Sequence, residues 1–422
     1  MSQRSGGWSA EDAHFLRSFW RAFRVRDALD TLRRDRARAP ERVPIVLDAD
    51  TLLEKACERL IEARVRSLVV RDSSKSDRGL AQFIGVFSYR TLVFYTLEAL
   101  PRVHSVQDLT SSSKALAQTN GADAHDEAKF RSMPHTRSAS TEEDQHLDIK
   151  ALLNDHRSRA HAHQPDLSMP TTVGQYVTHV HNHENDHSEL SRPVILWMDD
   201  TMDKLVDYCT LGVHRVSIAQ IDPVTEQVSI VATVSQTDTI RFFLQVASQK
   251  EFASSQLEAC LSRSLESVGL HAKAVAGVKS DEPLVNALEL MYELKLSALA
   301  VVDPATSRLV STLTMSDVKF AYATRKRNAF HRKIEWTLQQ VYATKRTQEE
   351  KSRRHTDDNA VDPEFYEEPM FTTIALKQSI FASMSSMEKN KASVLWVLDP
   401  HGIPIGAVSS TDLLRVLFPF VY

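Results

Sequence analysis

Three short stretches of the sequence repeat one spacing of two hydroxyls and a carboxylate: Ser235-Gln236-Thr237-Asp238, Thr314-Met315-Ser316-Asp317 and Ser409-Ser410-Thr411-Asp412. A fourth, Ser88-Tyr89-Arg90-Thr91, keeps the hydroxyls and ends on threonine. Each runs into an apolar stretch that reads as the start of a helix. Two chemistries fit the pattern. As a helix cap, Asp or Thr at this place satisfies open amides of the first turn and contributes about 1 kcal/mol without any ligand. As a binding group, a carboxylate fixed at a strand end accepts both hydroxyls of a ribose, while the neighbouring hydroxyls and the helix amides receive phosphate. Capping is expected in every copy. The ligand reading adds a use for the outer Ser or Thr, which a cap made by Asp or Thr alone does not need.

The elements that must hold these turns repeat with them. Before Ser409 lie two apolar strands, Val394 to Leu398 and Ile405 to Val408, split by Asp399-Pro400-His401-Gly402, a turn sequence. The same layout appears around Asp303-Pro304 and Asp222-Pro223, and in degraded form over 65–97. Upstream of each strand pair is a further short strand and an amphipathic helix. In the third copy Pro283 starts that helix, and Leu284, Ala287, Leu288 and Met291 share one face at a 3.6-residue period. Each unit is therefore strand, helix, strand, strand, helix. The expected organisation is a helical lead-in over 1–42, units at 43–107, 193–247, 274–323 and 371–422, an insertion over 108–192, a helical linker over 248–273 and a basic linker over 324–370.

This order resembles CBS domains, and four of them in this arrangement resemble the gamma regulatory subunit of AMP-activated and SNF1-type protein kinases. The 242–270 linker and the Phe19–Leu29 lead-in resemble the corresponding parts of that family. The resemblance implies an α/β (α+β) fold in which four CBS repeats form two tandem pairs in a pseudo-symmetric disc, with clefts between paired units. It also implies where each turn would look. Asp412, Ser409 and Thr411 would face Ser297 and Ala298; Asp317, Thr314 and Ser316 would face Lys391, Ala392 and Ser393; Asp238, Ser235 and Thr237 would face Arg66 and Ser67. His214 and Arg215 match the family's phosphate-facing pair, and an arginine fork suits an anion, but their facing turn carries Thr91 in place of Asp. The alternative for His214-Arg215, a solvated strand start, stays open. The fourth unit offers Asn390-Lys391, a point charge without the fork, and the third lacks the threonine that the family uses near adenosine. The implied ligand is AMP, ADP or ATP, with no cofactor. The implied partners are a catalytic kinase subunit and a scaffolding subunit in a heterotrimer.

Composition excludes little else. The 422 residues carry a formal charge of −4, so no global attraction to nucleic acid or membrane is expected. Cys57, Cys209 and Cys260 are too far apart to suggest a disulfide set and point to a reducing compartment. No 18-residue apolar run appears. The chain lacks a P-loop, HExxH, GxSxG or kinase catalytic set, and its recurring carboxylates sit at equivalent places in separate units; binding is expected, not turnover. The Ser- and His-rich 108–192 stretch reads as largely disordered, with a short helix at 147–153. His179, His181, His183 and His187 lack the frame of a metal site, and no metal is assigned. Residues 325–354 hold ten Lys or Arg against three Glu, with Phe330, Ile334, Leu338 and Val341 at helical spacing. They read as a linker packing its apolar stripe on the body, a partner surface being the alternative and nucleic-acid reading the least favoured. A cytoplasmic chain is expected, with nuclear import an option for the basic run.

Overall fold

A computed structural model describes residues 8–35, 44–63, 65–74, 79–99, 172–183, 193–249, 254–270, 275–323, 327–340 and 371–419. After helices α1 (Ala10–Arg21) and α2 (Val25–Asp35), unit one runs β1 (Val46–Asp48), α3 (Leu53–Glu62), β2 (Ser67–Arg71), β3 (Phe83–Ser88) and α4 (Tyr89–Ala99). Helix α5 (Val173–His183) precedes unit two, which runs β4 (Ile195–Trp197), α6 (Met202–Thr210), β5 (Arg215–Ile221), β6 (Val228–Ser235) and α7 (Gln236–Ala247). Helix α8 (Ser255–Ser262) leads to unit three: β7 (Gly277–Lys279), α9 (Leu284–Glu293), β8 (Ala298–Val302), β9 (Leu309–Thr314) and α10 (Val318–Ala323). Unit four has α11 (Ile380–Lys389), β10 (Val394–Leu398), β11 (Pro404–Ser409) and α12 (Ser410–Leu417), its first strand reduced to a bridge at Thr373.

The repeat extends to register. In all four hairpins the first residue of the middle strand pairs with the first residue of the Ser/Thr turn: Ser67 with Ser88, Arg215 with Ser235, Ala298 with Thr314, Val394 with Ser409. One register places the strand start and the turn at the same end of every sheet. The turns at the other end share a mechanism as well. Asp222, Asp303 and Asp399 each accept two backbone N–H bonds through Oδ1, as Asx turns do.

Four apolar clusters tie the units into a closed ring. Sheet faces join units one and two through Val69, Phe83, Ala219 and Ile230, and units three and four through Val275, Ala300, Leu309 and Trp396. Helices join units one and three in a core that includes Leu92, Leu288 and Tyr322, and units two and four in another that includes Phe243, Met384 and Leu413. The expected two pairs in a pseudo-symmetric disc follow from these contacts. The unit-three helix also buries its expected stripe, Leu284, Ala287, Leu288 and Met291.

Within each pair the lead-in segments are exchanged. The α2 start precedes unit one but bonds to unit two, where Val25 donates to the Asp200 carbonyl and Arg26 to Met198. Helix α5 precedes unit two but docks on unit one, where Val173 donates to Thr51 and Gly174 to Ala49. Leu265 and Glu266, ahead of unit three, bond to Gln378 and Leu376 of unit four, and Ile334 and Glu335 bond back to Glu282 and Ser280 of unit three. Two expectations are settled by this exchange. Phe330, Ile334 and Leu338 are core residues, so the described part of the basic segment packs on the body; Val341 lies outside the described residues. The disorder expected over 108–192 does not extend to α5, whose Val173, Tyr176 and Val177 are buried in the unit-one core. The 147–153 helix and His187 lie outside the described residues.

Candidate nucleotide-facing site

Each turn is built as a capping box. Ser235 is the N-cap of α7 and Ser409 of α12, while Thr314 opens the 3-10 turn Met315–Asp317 before α10. The Asp stands three residues on, and its Oδ2 accepts the N-cap N–H at 3.1 Å (Asp238), 2.7 Å (Asp317) and 2.9 Å (Asp412). The same oxygen accepts the N-cap hydroxyl at 2.6, 2.7 and 2.6 Å. This corrects the capping argument drawn from the sequence, which made Asp or Thr the cap and left the outer hydroxyl over. The outer Ser or Thr is itself the N-cap, so both chemistries use it. In unit one the Ser88 N–H donates to Thr91 Oγ1 at 3.3 Å, and a neutral oxygen does what the carboxylates do elsewhere.

Burial alternates along the turn. The N-cap and third-position hydroxyls, Ser235 and Thr237, Thr314 and Ser316, Ser409 and Thr411, are half-buried, whereas Asp317 and Asp412 are buried. On the strand-start side Arg66, Ser297 and Lys391 are exposed, Ser67 and Ser393 half-buried, and Ala298 buried. Lys391 takes a φ of 51°, in the left-handed region, directly after α11 ends.

The charges gather where units one and two meet. Arg215 interacts with Arg66, Asp238 and Tyr89, and Tyr89 also feels Asp317. Desolvation, and next the Arg66 guanidinium, push Arg215 down to about 10, which leaves it charged at neutral pH. His214 retains exposed surface, yet the protein around it desolvates the ring and lowers its pKa from 6.5, with Arg215 and Arg90 adding to the fall and a bond to Gln236 opposing it. The structure thus places Arg66, Asp238 and Tyr89 within electrostatic reach of Arg215. Two guanidiniums and an imidazole with one carboxylate suit an anionic ligand with vicinal hydroxyls. Asp412 bonds to its own turn and lies 3.8 Å from Arg415.

Sequence reasoning passed over the residue between the two hydroxyls. Gln236 and Ser410 occupy it in units two and four and bond to each other, Ser410 Oγ donating to Gln236 Oε1 at 2.8 Å. Tyr89 and Met315 hold the place in units one and three, in the core those units share. Also missed were Arg241 and Arg415, each three residues after its Asp. The signal was there: Asp-x-x-Arg recurs in units two and four, whereas Phe94 and Phe320 stand at that step in the others. Among the described residues, no group of three or more His, Cys, Asp or Glu is placed to hold a metal ion, and no helix is long and apolar enough to cross a membrane. The three cysteines are buried and unpaired.

A protein of Methanocaldococcus jannaschii, described as a candidate archaeal homologue of g-AMPK, aligns over 89% of this chain and 96% of its own, with 12% identity and a TM-score of 0.48. Protein SDS23 of Vanderwaltozyma polyspora is 30% identical over 131 residues, 28% of this chain and 23% of the relative. Protein SDS23 of Scheffersomyces stipitis is 29% identical over 121 residues, 29% of this chain and 21% of the relative. The matched region thus spans less than a quarter of either curated relative. Residues 37–98 and 269–324 match the CBS domain family, and they fall on units one and three. The same strand and helix order is repeated in units two and four, so the chain carries two segments that match the CBS domain family and two more units built in the same order.

Proposed function

We propose that the chain is a non-catalytic regulatory subunit that binds adenine nucleotides, AMP, ADP or ATP, in the clefts of its two CBS pairs and modulates a protein kinase complex. The observation that carries this reading is the electrostatic proximity of Arg66, Arg215 and Asp238, with His214 next to Arg215. Phosphate would lie on the cationic side and ribose on the carboxylate. In the second pair Asp317 would serve with Lys391 and Ser393, and Asp412 with Ser297 and Ala298. A catalytic kinase subunit and a scaffolding subunit are the proposed partners, and ligand occupancy would act on them through a coupling of about 1–3 kcal/mol.

One observation favours a second reading, a CBS scaffold without nucleotide sensing: each Asp already has a structural task as a capping-box acceptor. Equilibrium binding of AMP, ADP, ATP and S-adenosylmethionine to the purified chain separates the two. Asp317→Asn and Asp412→Asn keep an oxygen for the cap and lose the charge. Under the nucleotide reading adenylate affinity falls by about tenfold in each, equivalent to about 1.4 kcal/mol, while thermal unfolding shows the variants folded. A wild-type chain that binds no adenylate would leave the scaffold reading standing. Co-purification of a kinase with the tagged chain tests the partner half of the proposal.

A further inference from the structure

Gln236 is 2% exposed, and its amide is fully engaged. Nε2 donates to the Cys209 carbonyl at 2.9 Å and to Thr411 Oγ1 at 2.8 Å; Oε1 accepts from Ser410 Oγ at 2.8 Å and lies 3.2 Å from His214 Nδ1. A carbonyl can only accept, so the contact with Cys209 fixes which end of the amide is nitrogen. Oε1 then requires the proton of His214 on Nδ1, which leaves Nε2 as the ring atom that can take up a further proton and meet an anion. One buried side chain thereby touches a candidate site residue in each pair: His214 in units one and two, Thr411 in units three and four.

Two arginines run beside it across the same interface. Arg241 Nε donates to Glu388 of α11 at 2.9 Å while its Nη1 lies 3.9 Å from Asp238 Oδ1. Arg415 Nε donates to the Thr210 carbonyl at the end of α6 at 2.8 Å, with its Nη1 3.8 Å from Asp412 Oδ1. Each arginine thus links the carboxylate of one unit to the end of the helix ahead of the strand start in the other. Units one and three have Phe94 and Phe320 in these places, so this device belongs to the unit two and unit four interface.

We propose that Gln236, flanked by Arg241 and Arg415, is a positioning residue that couples the His214 and Asp238 cleft of one pair to the Thr411 and Asp412 turn of the other. As a statement about ligands this rests on the nucleotide reading above; as a statement about the network it can be measured without one. A double-mutant cycle in urea unfolding combines His214→Gln with Thr411→Val, residues of different pairs that share Gln236 as a partner. The double variant is expected to miss the product of the single effects on the unfolding constant by a factor of about three or more. The discrepancy should vanish in a Gln236→Leu background. Additive behaviour in the wild-type background, which needs no change at the buried glutamine, overturns the proposal. In parallel, AMP titration of the full chain follows the remaining clefts of Asp412→Asn, whose affinity is expected to shift, and to stop shifting when Arg241→Gln and Arg415→Gln are added. Non-additivity without AMP binding supports the tie and removes the nucleotide reading. AMP binding with an additive cycle does the reverse.

Discussion

His214 is held neutral by its surroundings, and that has a pH signature. Desolvation, with Arg215 and Arg90 beside it, lowers the folded-state pKa from 6.5, although the Gln236 bond works the other way. As pH falls through 6.5 the unfolded chain takes up a proton that the folded chain declines, so stability is lost from that point down to the folded pKa. Above 6.5 the residue contributes no pH dependence. The difference in urea midpoint between pH 7.5 and pH 5.5 should therefore be smaller in His214→Gln than in the wild type; parallel profiles would remove this account of the ring. Thr91 makes the complementary point. It accepts the Ser88 N–H as the carboxylates accept theirs, so the fold asks this position for an oxygen and a ribose would ask for a charge. Helix capping is satisfied by either at about 1 kcal/mol.

At the scale of elements, α5 packs closely on unit one. A Cβ on Gly85 of β3 would stand 1.9 Å from Val177 Cγ1, and one on Gly174 would stand 2.8 Å from the Ala49 carbonyl oxygen. Gly85→Ala should cost about 1–3 kcal/mol by overpacking, and adding Val177→Ala should recover part of the loss, because the obstructing methyl leaves with it. Urea midpoints of the two single variants and the double check this; an unchanged Gly85→Ala protein would mean that α5 does not dock as described. The same helix shows what the sequence could convey. The strands and the Leu284 to Met291 stripe were legible because period and turn chemistry are local. Val173-Gly174-Gln175-Tyr176-Val177 sits in a polar, histidine-rich stretch, and its apolar face has meaning only against β3, which no local pattern reveals. Likewise Ser-x-Ser/Thr-Asp pointed to the turns, but the x residue takes its role from whichever unit lies across the helix interface, so Gln236 and Tyr89 could not be told apart. Arg66 and Arg215 were named from resemblance, and only the sheet contact between units one and two put them beside each other.

For the whole molecule, ring closure means that neither pair is complete alone. The helix faces of units one and two are covered by units three and four, with Phe94 against Tyr292 at 5.1 Å between ring centroids, Thr96 bonded to Tyr322, and Arg241 bonded to Glu388. A fragment of residues 1–253 keeps both of its lead-ins and loses that cover. It is expected to sediment as a dimer, a second copy replacing the missing pair; a stable monomer with native-like melting would show that the helix faces do not hold the ring. The exchanged lead-ins also set a timetable for synthesis. Val25 cannot reach Asp200 until about 175 further residues have been made, roughly 9–35 s at ordinary elongation rates. The Trp20 indole, which donates to the Leu417 carbonyl 397 residues on, waits about 20–80 s. Trp20 and Phe23 meet Phe243 and Phe242 of unit two in the meantime, so α1 is covered in two stages, its apolar face when unit two is made and its indole N–H only when unit four is.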